Sequence, residues 1–426
     1  MSAPAPMKQA LVLLIGEVRE DPRVSRTCRS LRDAGVAVTV GCTDPSGRPA
    51  EETWEGMRVI RFPHRKDSLL KRCYMALQGR LTPKYGQAVA RIHEEAPSSR
   101  LRAALRNMAL SLNFRSYLGG TLRINRVMAE RFSGESFDLV HANDMDTLPA
   151  GTALRRSGAA HALLYDAHEY WPGIGVHGSS ANDAIRTIEG EGIRSADYVV
   201  TVNPFIADML REEYSLPVSP AVVMNCPARD ASPVPMDTAG GTIRVLYQGK
   251  VQAFRGIGEL ILAFRSIEGA ELTVSGDGPL LERFRLLART EGLEGRVRFT
   301  GRYEPDETLA IVRVHHIGVM PFSPVTLNIT YSSPNKLFDY MMGGLAIVAS
   351  DLPFLRKVIE EERMGVLLPA NSPEEIAEAL RALIADRDRL TTCRRNAREA
   401  ALARYCWEEQ FAANYPWPGG RAMFRD

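Results

Sequence analysis

Two cationic side chains five residues apart, Lys250 and Arg255 in "GKVQAFRG", are spaced to flank a polyanion. Further along, "YSSPNKLFDYMMGG", Tyr331 to Gly344, leads small and helix-breaking residues with one lysine into a short helix. A helix that starts at Ser332, Ser333 and Pro334 offers free backbone N–H groups. Its dipole favours an anion by about 0.3–1 kcal/mol, and up to ~2 kcal/mol when partly buried. Asn335 and Lys336 follow at once, and Asp339 lies a turn further on, where a carboxylate can accept both hydroxyls of a ribose. Gly249, and Gly276 and Gly278 in "SGDGP", mark strand-to-helix turns. A charge-assisted hydrogen bond is worth roughly 1.5–3 kcal/mol, so cations, helix start and glycine turns together read as a site for the diphosphate of a nucleotide. Each feature alone is weak. "GDGPLL" lacks the third glycine of GxGxxG, which disfavours a dehydrogenase, and capped helices with surface charges would share much of the pattern.

The first half of the chain offers different chemistry. His168 in "YDAHEYWP" falls at the tip of an apolar run beside Glu169, a functional position, although a lone histidine is often a satisfied core residue. Asp144 and Asp146 in "NDMD" could share a divalent cation with a diphosphate as a D-x-D pair. They are far along the chain from the basic pair and the helix start, so capping the helix that begins near Thr147, or contacting an acceptor, is the favoured role. No metal and no cofactor are expected, the nucleotide being a co-substrate.

Apolar runs alternating with helical patterns must position these residues. "ALVLLIG" reads as a buried strand and "DPRVSRTCRSLRDAG" as a helix, with Asp21 as N-cap, Pro22 at its first position and Gly35 at its stop. "VAVTVGC", "FDLVHAND", "ALLYDAHE" and "ADYVVTV" continue the pattern. Leu216 to Gly241, rich in Pro, Ser and Gly, reads as a connection. Six more short strands alternate with helices beyond it. The expected class is α/β, with two Rossmann-like, doubly wound parallel sheets. In such sheets, ligands gather at the carboxyl ends of the strands. The expected domains are 1–228 and 229–403, with a last helical segment over 404–426.

Composition narrows the partners. Net charge is only +2, yet residues 65–131 carry fourteen Lys/Arg against four acids, with apolar residues at roughly helical spacing. That insertion reads either as a solvated helical segment or as a basic amphipathic surface for anionic lipid or a charged acceptor. No nucleic-acid-binding motif accompanies the charge. The six cysteines have no CxxC or Cys/His spacing, which argues against a structural zinc site or disulfide framework. No secretory signal pattern or membrane-length apolar run is evident, so a cytoplasmic protein is expected, with peripheral membrane contact left open.

"GKVQAFRG", "VSGDGPL", "FTGRYE" and "SSPNKLFDYMMGGLAIVASDLP", together with "VHANDMDTLPAG" and "YDAHEYWP", resemble the retaining GT-B glycosyltransferases of glycosyltransferase family 4, in a subgroup with an SPNK-type donor motif. The resemblance implies two domains facing across a cleft, with the C-terminal helix crossing back to the first. It implies transfer of a sugar from a nucleotide donor to a hydroxyl acceptor with anomeric configuration kept. Lys250 and Arg255 would neutralise the departing diphosphate, and His168 would act near the reacting centre. Asp339 would hold the ribose, while Arg302 and Tyr303 would meet the base. Gly16, Arg19, Asp21, Arg23, Asp144, Asp146 and Glu169 fall on the acceptor side. Two departures stand out: Tyr331 replaces the first acid of the family's E-x7-E signature, and the first loop has only Gly16 where the family has a glycine pair. A nucleotide-sugar epimerase of the same architecture and a non-catalytic nucleotide-sugar binding protein are the alternative readings.

Overall fold

The computed structural model describes residues 7–44, 49–63, 117–174, 179–236 and 241–416. Most of the basic insertion expected at 65–131 lies outside these residues, and only its last part, a helix over 117–132 (α2), is described. The chain divides into two compact units, one of 1–222 with 415–426 and one of 223–414.

The first unit is built on an eight-stranded sheet of order β3-β4-β2-β1-β5-β6-β7-β8. Its central strands are β1 (Gln9–Leu13), β2 (Ala37–Thr43), β5 (Phe137–Asn143) and β6 (Ala160–Ala167), flanked by β7 (Tyr198–Thr201) and the two-residue β8 (Ala221–Val222). All pairings are parallel except that of β3 (Glu51–Trp54) with β4 (Met57–Phe62). Near-continuous burial along β1 and β5 is what a parallel sheet covered on both faces requires. The β3–β4 hairpin departs from the sequence-based strand pattern. Glu55 and Gly56 both take positive φ, 49° and 80°, which suits a tight two-residue turn. Between β1 and β2 runs α1 (Pro22–Asp33), where the Asp21 carboxylate accepts from the N–H groups of Arg23 and Val24. After β5 comes α3 (Leu148–Ser157), and after β6 comes α4 (Ser179–Ser195). Leu11, Leu13, Phe132, Val140, Leu163 and Tyr165 belong to the buried core beneath them.

The second unit has a six-stranded, wholly parallel sheet of order β11-β10-β9-β12-β13-β14. Its strands are β9 (Ile243–Gln248), β10 (Ala270–Ser275), β11 (Val297–Gly301), β12 (Ile317–Met320), β13 (Ala346–Ser350) and β14 (Gly365–Leu368). The chain winds outward from β9 in one direction and from β12 in the other. The β9/β12 pair is therefore the switch point, where the loops after both strands part and leave room for a ligand. In the first unit the same reversal falls between β1 and β5.

The helix of the SPNK stretch, α10 (Asn335–Met342), is keyed to that switch point. Tyr340 lies flat on β12, where a Cβ on Gly318 would come within 2.2 Å of its ring, and its hydroxyl accepts from the Gln248 N–H at 2.8 Å. Two buried guanidiniums of α13 (Arg387–Ala403) satisfy carbonyls at the other end of α10. Arg394 Nε donates to Gly344 O at 2.8 Å, and Arg398 donates to Met342 O. The same side chains hold the connecting strap, Arg394 through Pro235 O at 2.7 Å and Arg398 through Ser232 O at 2.9 Å. The last helix, α14 (Trp407–Asn414), stays with the second unit, its Trp407 N–H donating to Pro227 O at 2.8 Å; from Tyr415 the chain belongs to the first unit again.

Candidate functional site

In the second unit the predicted residues gather after β9 and at the start of α10. The Lys336 ammonium lies 3.9 Å from the centroid of the Tyr247 ring, and a Cβ on Gly249 would sit 3.2 Å from it. Lys336 Nζ and Arg255 Cζ rest against the same Phe322 ring, 5.2 and 5.1 Å from its centroid. Among the described residues, neither cation is held in an ion pair with a carboxylate; the Gln252 amide oxygen, turned to satisfy its hydrogen bonds, accepts from Arg255 at 3.3 Å. Burial and then the Arg255 charge push the Lys336 amine well below the ordinary lysine value, against the pull of Asp339. Asp339 also faces Tyr303, whose hydroxyl is pushed up to about 12 by burial and by that carboxylate.

The other predicted donor-side residues divide. Ser333 is buried, Ser332 Oγ donates to Ile329 O at 2.9 Å, and Pro334 occupies the N-cap position without a side-chain cap. Asn335 Oδ1 accepts from Asn225 Nδ2 at 3.0 Å. Lys250 is exposed, its carbonyl taking the Tyr247 hydroxyl at 2.9 Å, so it is Lys336 that stands beside Arg255 on the ring. Arg302 is exposed, 3.7 Å from Glu304. Gly276 and Gly278 are accounted for by packing between loops: a Cβ on the first would meet Gly249 O at 1.9 Å, and on the second Val251 O at 2.2 Å. Three residues at the strand ends escaped the sequence reading: Tyr247, Phe322 and Gln248. The Gln248 side-chain amide is buried with neither its nitrogen nor its oxygen hydrogen-bonded in the geometry of the structure. Their one signal was position, immediately before "GK" and at the end of "HIGVMPF".

In the first unit, polar groups converge at the ends of β1, β5 and β6. Asp166, at 1% exposure, is gripped by Arg23 through Nε at 2.8 Å and Nη2 at 2.7 Å. Burial alone would raise that carboxyl, but Arg23, His168 and His141 outweigh it and hold it well below the usual range. His168 lies between two carboxylates, with Nδ1 3.3 Å from Asp144 Oδ2 and Nε2 3.4 Å from Asp166 Oδ2. Burial lowers its affinity for a proton, yet Asp144 and Asp166 raise it to about 9, so the ring is an imidazolium at neutral pH. Asp144 takes a positive φ of 58°, and its Oδ1 accepts from the His168 N–H at 3.1 Å and from Trp171 Nε1 at 3.2 Å. Asp146 accepts from the Tyr117 hydroxyl at 3.1 Å; burial and the Asp144 charge push its carboxyl well above the usual range.

The remaining acceptor-side candidates are placed elsewhere or otherwise engaged. Arg23 is consumed by Asp166, Asp21 caps α1, and Arg19 pairs with Glu52. Gly16 has φ 144° in the loop after β1, where its carbonyl accepts from Thr43 N–H at 3.1 Å. Glu169 is exposed at the tip beyond His168. Among the described residues, no group of three or more His, Cys, Asp or Glu is arranged to hold a metal ion, and no helix is long and apolar enough to cross a membrane. A separate cavity of about 340 Å³ in the second unit lies along β11 and is lined by Arg285, Arg289, Arg296 and Arg298 with Glu271 and Glu294.

Two parallel-stranded sheets, each wound about its own switch point, make up the GT-B architecture. Comparison with known proteins carries this further: residues 21–227 match the glycosyl transferase 4-like domain model and residues 242–386 the glycosyl transferases group 1 model. The chain belongs with the GT-B glycosyltransferases of group 1. A GDP-mannose-dependent alpha-(1-6)-phosphatidylinositol monomannoside mannosyltransferase of Mycobacterium tuberculosis is 26% identical over 145 residues, 34% of this chain and 38% of that protein. The chain thus spans about two-fifths of the length of that relative. Among solved structures, sucrose-phosphate synthase of Thermosynechococcus elongatus superposes with a TM-score of 0.67 at 19% identity, covering 95% of this chain and 96% of that one. Anabaena HepE in complex with UDP gives 0.62 at 15% identity, covering 95% and 97%.

Proposed function

We propose that the protein transfers a sugar from a nucleoside diphosphate donor to a hydroxyl acceptor with retention of anomeric configuration. The observation that carries the reading is the pair of cations, Arg255 and Lys336, resting on one Phe322 ring beside Gly249 without a carboxylate counter-ion in the described structure. A diphosphate placed there would favour the charged form of Lys336, which burial disfavours. It would also be stabilised most as negative charge grows on the leaving group. Asp339, one turn along α10, is assigned to the ribose, and Tyr303 with the Gln248 amide to the base. Lys250, exposed in the same loop, reaches the outer phosphate.

Retention is supported by the state of His168. An imidazolium cannot take the proton of an acceptor hydroxyl, and the departing phosphate oxygen, on the same face of the sugar as the incoming hydroxyl, is assigned as the base. The acceptor is assigned to the polar cluster of the first unit, where Asp144 and Asp146 can accept from sugar hydroxyls. The reaction is written without a metal ion or cofactor, and contact of the basic insertion with anionic lipid is kept as part of the proposal.

The test is a thermal-shift titration with UDP, GDP, ADP and dTDP, each with EDTA and with magnesium. A nucleotide at about 100 times its Kd adds about 2.7 kcal/mol of stability. The expected result is a shift selective for one base, insensitive to EDTA and lost in Arg255→Ala and Lys336→Met. No shift with any nucleotide refutes the donor site, and a shift that needs magnesium transfers the site to Asp144 and Asp146. Product analysis with the preferred nucleotide-sugar then separates transfer from epimerisation, which releases a changed sugar without acceptor, and from silent binding.

A further inference from the structure

The strap that returns to the first unit ends its described course in a buried hydrogen-bond chain. Tyr415, 8% exposed, sets its hydroxyl 2.8 Å from His141 Nδ1, and the two rings lie 5.8 Å apart between centroids. His141, fully buried in β5, turns Nε2 toward Asp166 Oδ2 at 3.3 Å. The same Oδ2 receives Arg23 Nε and lies 3.4 Å from His168 Nε2. One carboxylate oxygen therefore joins the C-terminal tyrosine to the histidine at the strand tip, and nothing in the reaction proposed above uses Tyr415 or His141.

We infer that Tyr415 is a positioning residue for His168, acting through the ring of His141 and the carboxylate of Asp166. The groups facing His141 are Asp166, Arg23, His168 and Tyr415. With burial and two neighbouring cations against it, the His141 ring is neutral, and a neutral imidazole has one donor and one acceptor nitrogen. Asp166 can only accept, so Nε2 must carry the proton and Nδ1 must accept from a hydroxyl. Tyr415 supplies that hydroxyl. Without it the Nδ1 lone pair is buried and unmet, the ring loses its second anchor, and the Nε2–H contact to Asp166 Oδ2 at 3.3 Å loosens. Asp166 then loses part of the hold that orients it toward His168. The role assigned to Tyr415 rests on the glycosyl-transfer reading only for its effect on turnover; the tautomer and the state of His168 stand apart from it.

The test is Tyr415→Phe, which keeps the packed ring and deletes one oxygen, in protein labelled with ¹⁵N,¹³C-histidine. The eight histidines are assigned by single substitutions. In the wild type, His141 should show a protonated Nε2 and a bare Nδ1. In the variant the Nδ1 resonance should shift as its hydrogen bond is lost while Asp166 keeps the proton on Nε2, His168 ring resonances should move, and kcat for nucleotide release should fall about fivefold, the equivalent of one hydrogen bond. Donor KM should hold. Unmoved His141 ring nitrogens in Tyr415→Phe overturn the inference, as do shifted ones that leave both His168 and kcat as they were. A wild-type protein that turns over no nucleotide-sugar refutes glycosyl transfer instead, and the His168 resonances still decide the positioning role.

Discussion

Removing the His168 imidazole should abolish a pH-dependent share of the first unit's stability. Unfolded, a histidine titrates near 6.5; folded, His168 is held up to about 9 by Asp144 and Asp166, against the opposing effect of burial. Because the folded value is the higher one, the stabilisation is fully present below pH 6.5 and is lost as pH rises through 9. Each unit between the two values is worth about 1.4 kcal/mol, so the ion pairs contribute about 3 kcal/mol on the acid side of that window. The group is 17% exposed, so solvent screening takes little of this. Urea unfolding of the wild type and His168→Asn from pH 6 to 10, followed by Trp54 and Trp171 of the first unit, measures it. The difference in unfolding free energy should shrink by about 3 kcal/mol between pH 6.5 and 10. A flat difference would mean that His168 is neutral in the fold, and the argument that it cannot deprotonate an acceptor would fall with it.

Two other substitutions test the positioning of the second unit's site. Gly256 and Gly292 share positive φ, 64° and 69°, but a Cβ on Gly256 would lie 1.9 Å from Pro321 O while one on Gly292 meets nothing within 4 Å. Gly292→Ala should cost about 1–2 kcal/mol, the strain of the backbone alone; Gly256→Ala should cost clearly more in chemical denaturation and weaken nucleotide binding, because the loop carrying Arg255 must shift. Arg394→Met leaves the carbonyls of Gly344, Met236 and Pro235 without their donor. At about 1–3 kcal/mol for each buried group left unmet, it should lower the second unit's unfolding midpoint and speed hydrogen exchange in the 230–236 strap; exchange unchanged there would show that the strap is held by other contacts.

Local chemistry was legible in the sequence, and long-range pairing was not. The parallel strands announce themselves because both of their faces are buried, which leaves continuous apolar runs such as "ALVLLIG"; the Asp21 cap and Pro22 start of α1 are contained in consecutive residues. The hairpin of β3 and β4 was missed although its Glu55–Gly56 turn is a usable sign, because strands of mixed polarity at a sheet edge lack that run. Asp166 shows why the site was harder. It stands inside "YDAHE" and reads as strand, and only the fold brings Arg23 to it across 143 positions of sequence. Arg23 then looks like a surface cation available to an acceptor until its partner is known. Glycines carry a second constraint. Gly276 and Gly278 read as phosphate turns, and the stacking of two loops against Gly249 and Val251 demands glycine there as well.

Charge compensation separates the two clusters and bears on which anion each can take. In the first unit the positive groups are balanced where they stand, Arg23 by Asp166 and His168 by Asp144, so an anion arriving there would meet carboxylates. In the second unit Arg255 and Lys336 share a ring, and burial with mutual repulsion has depressed the Lys336 amine. Repulsion of this kind is stored at a cost until a dianion arrives, and it is then released in favour of the ligand. The charge distribution within this chain thus favours the second unit for the diphosphate proposed above, independently of what its relatives bind. Hydroxyls, which bring no charge, suit the first unit, where the Asp144 and Asp146 carboxyls can hydrogen-bond them without disturbing a balance already struck.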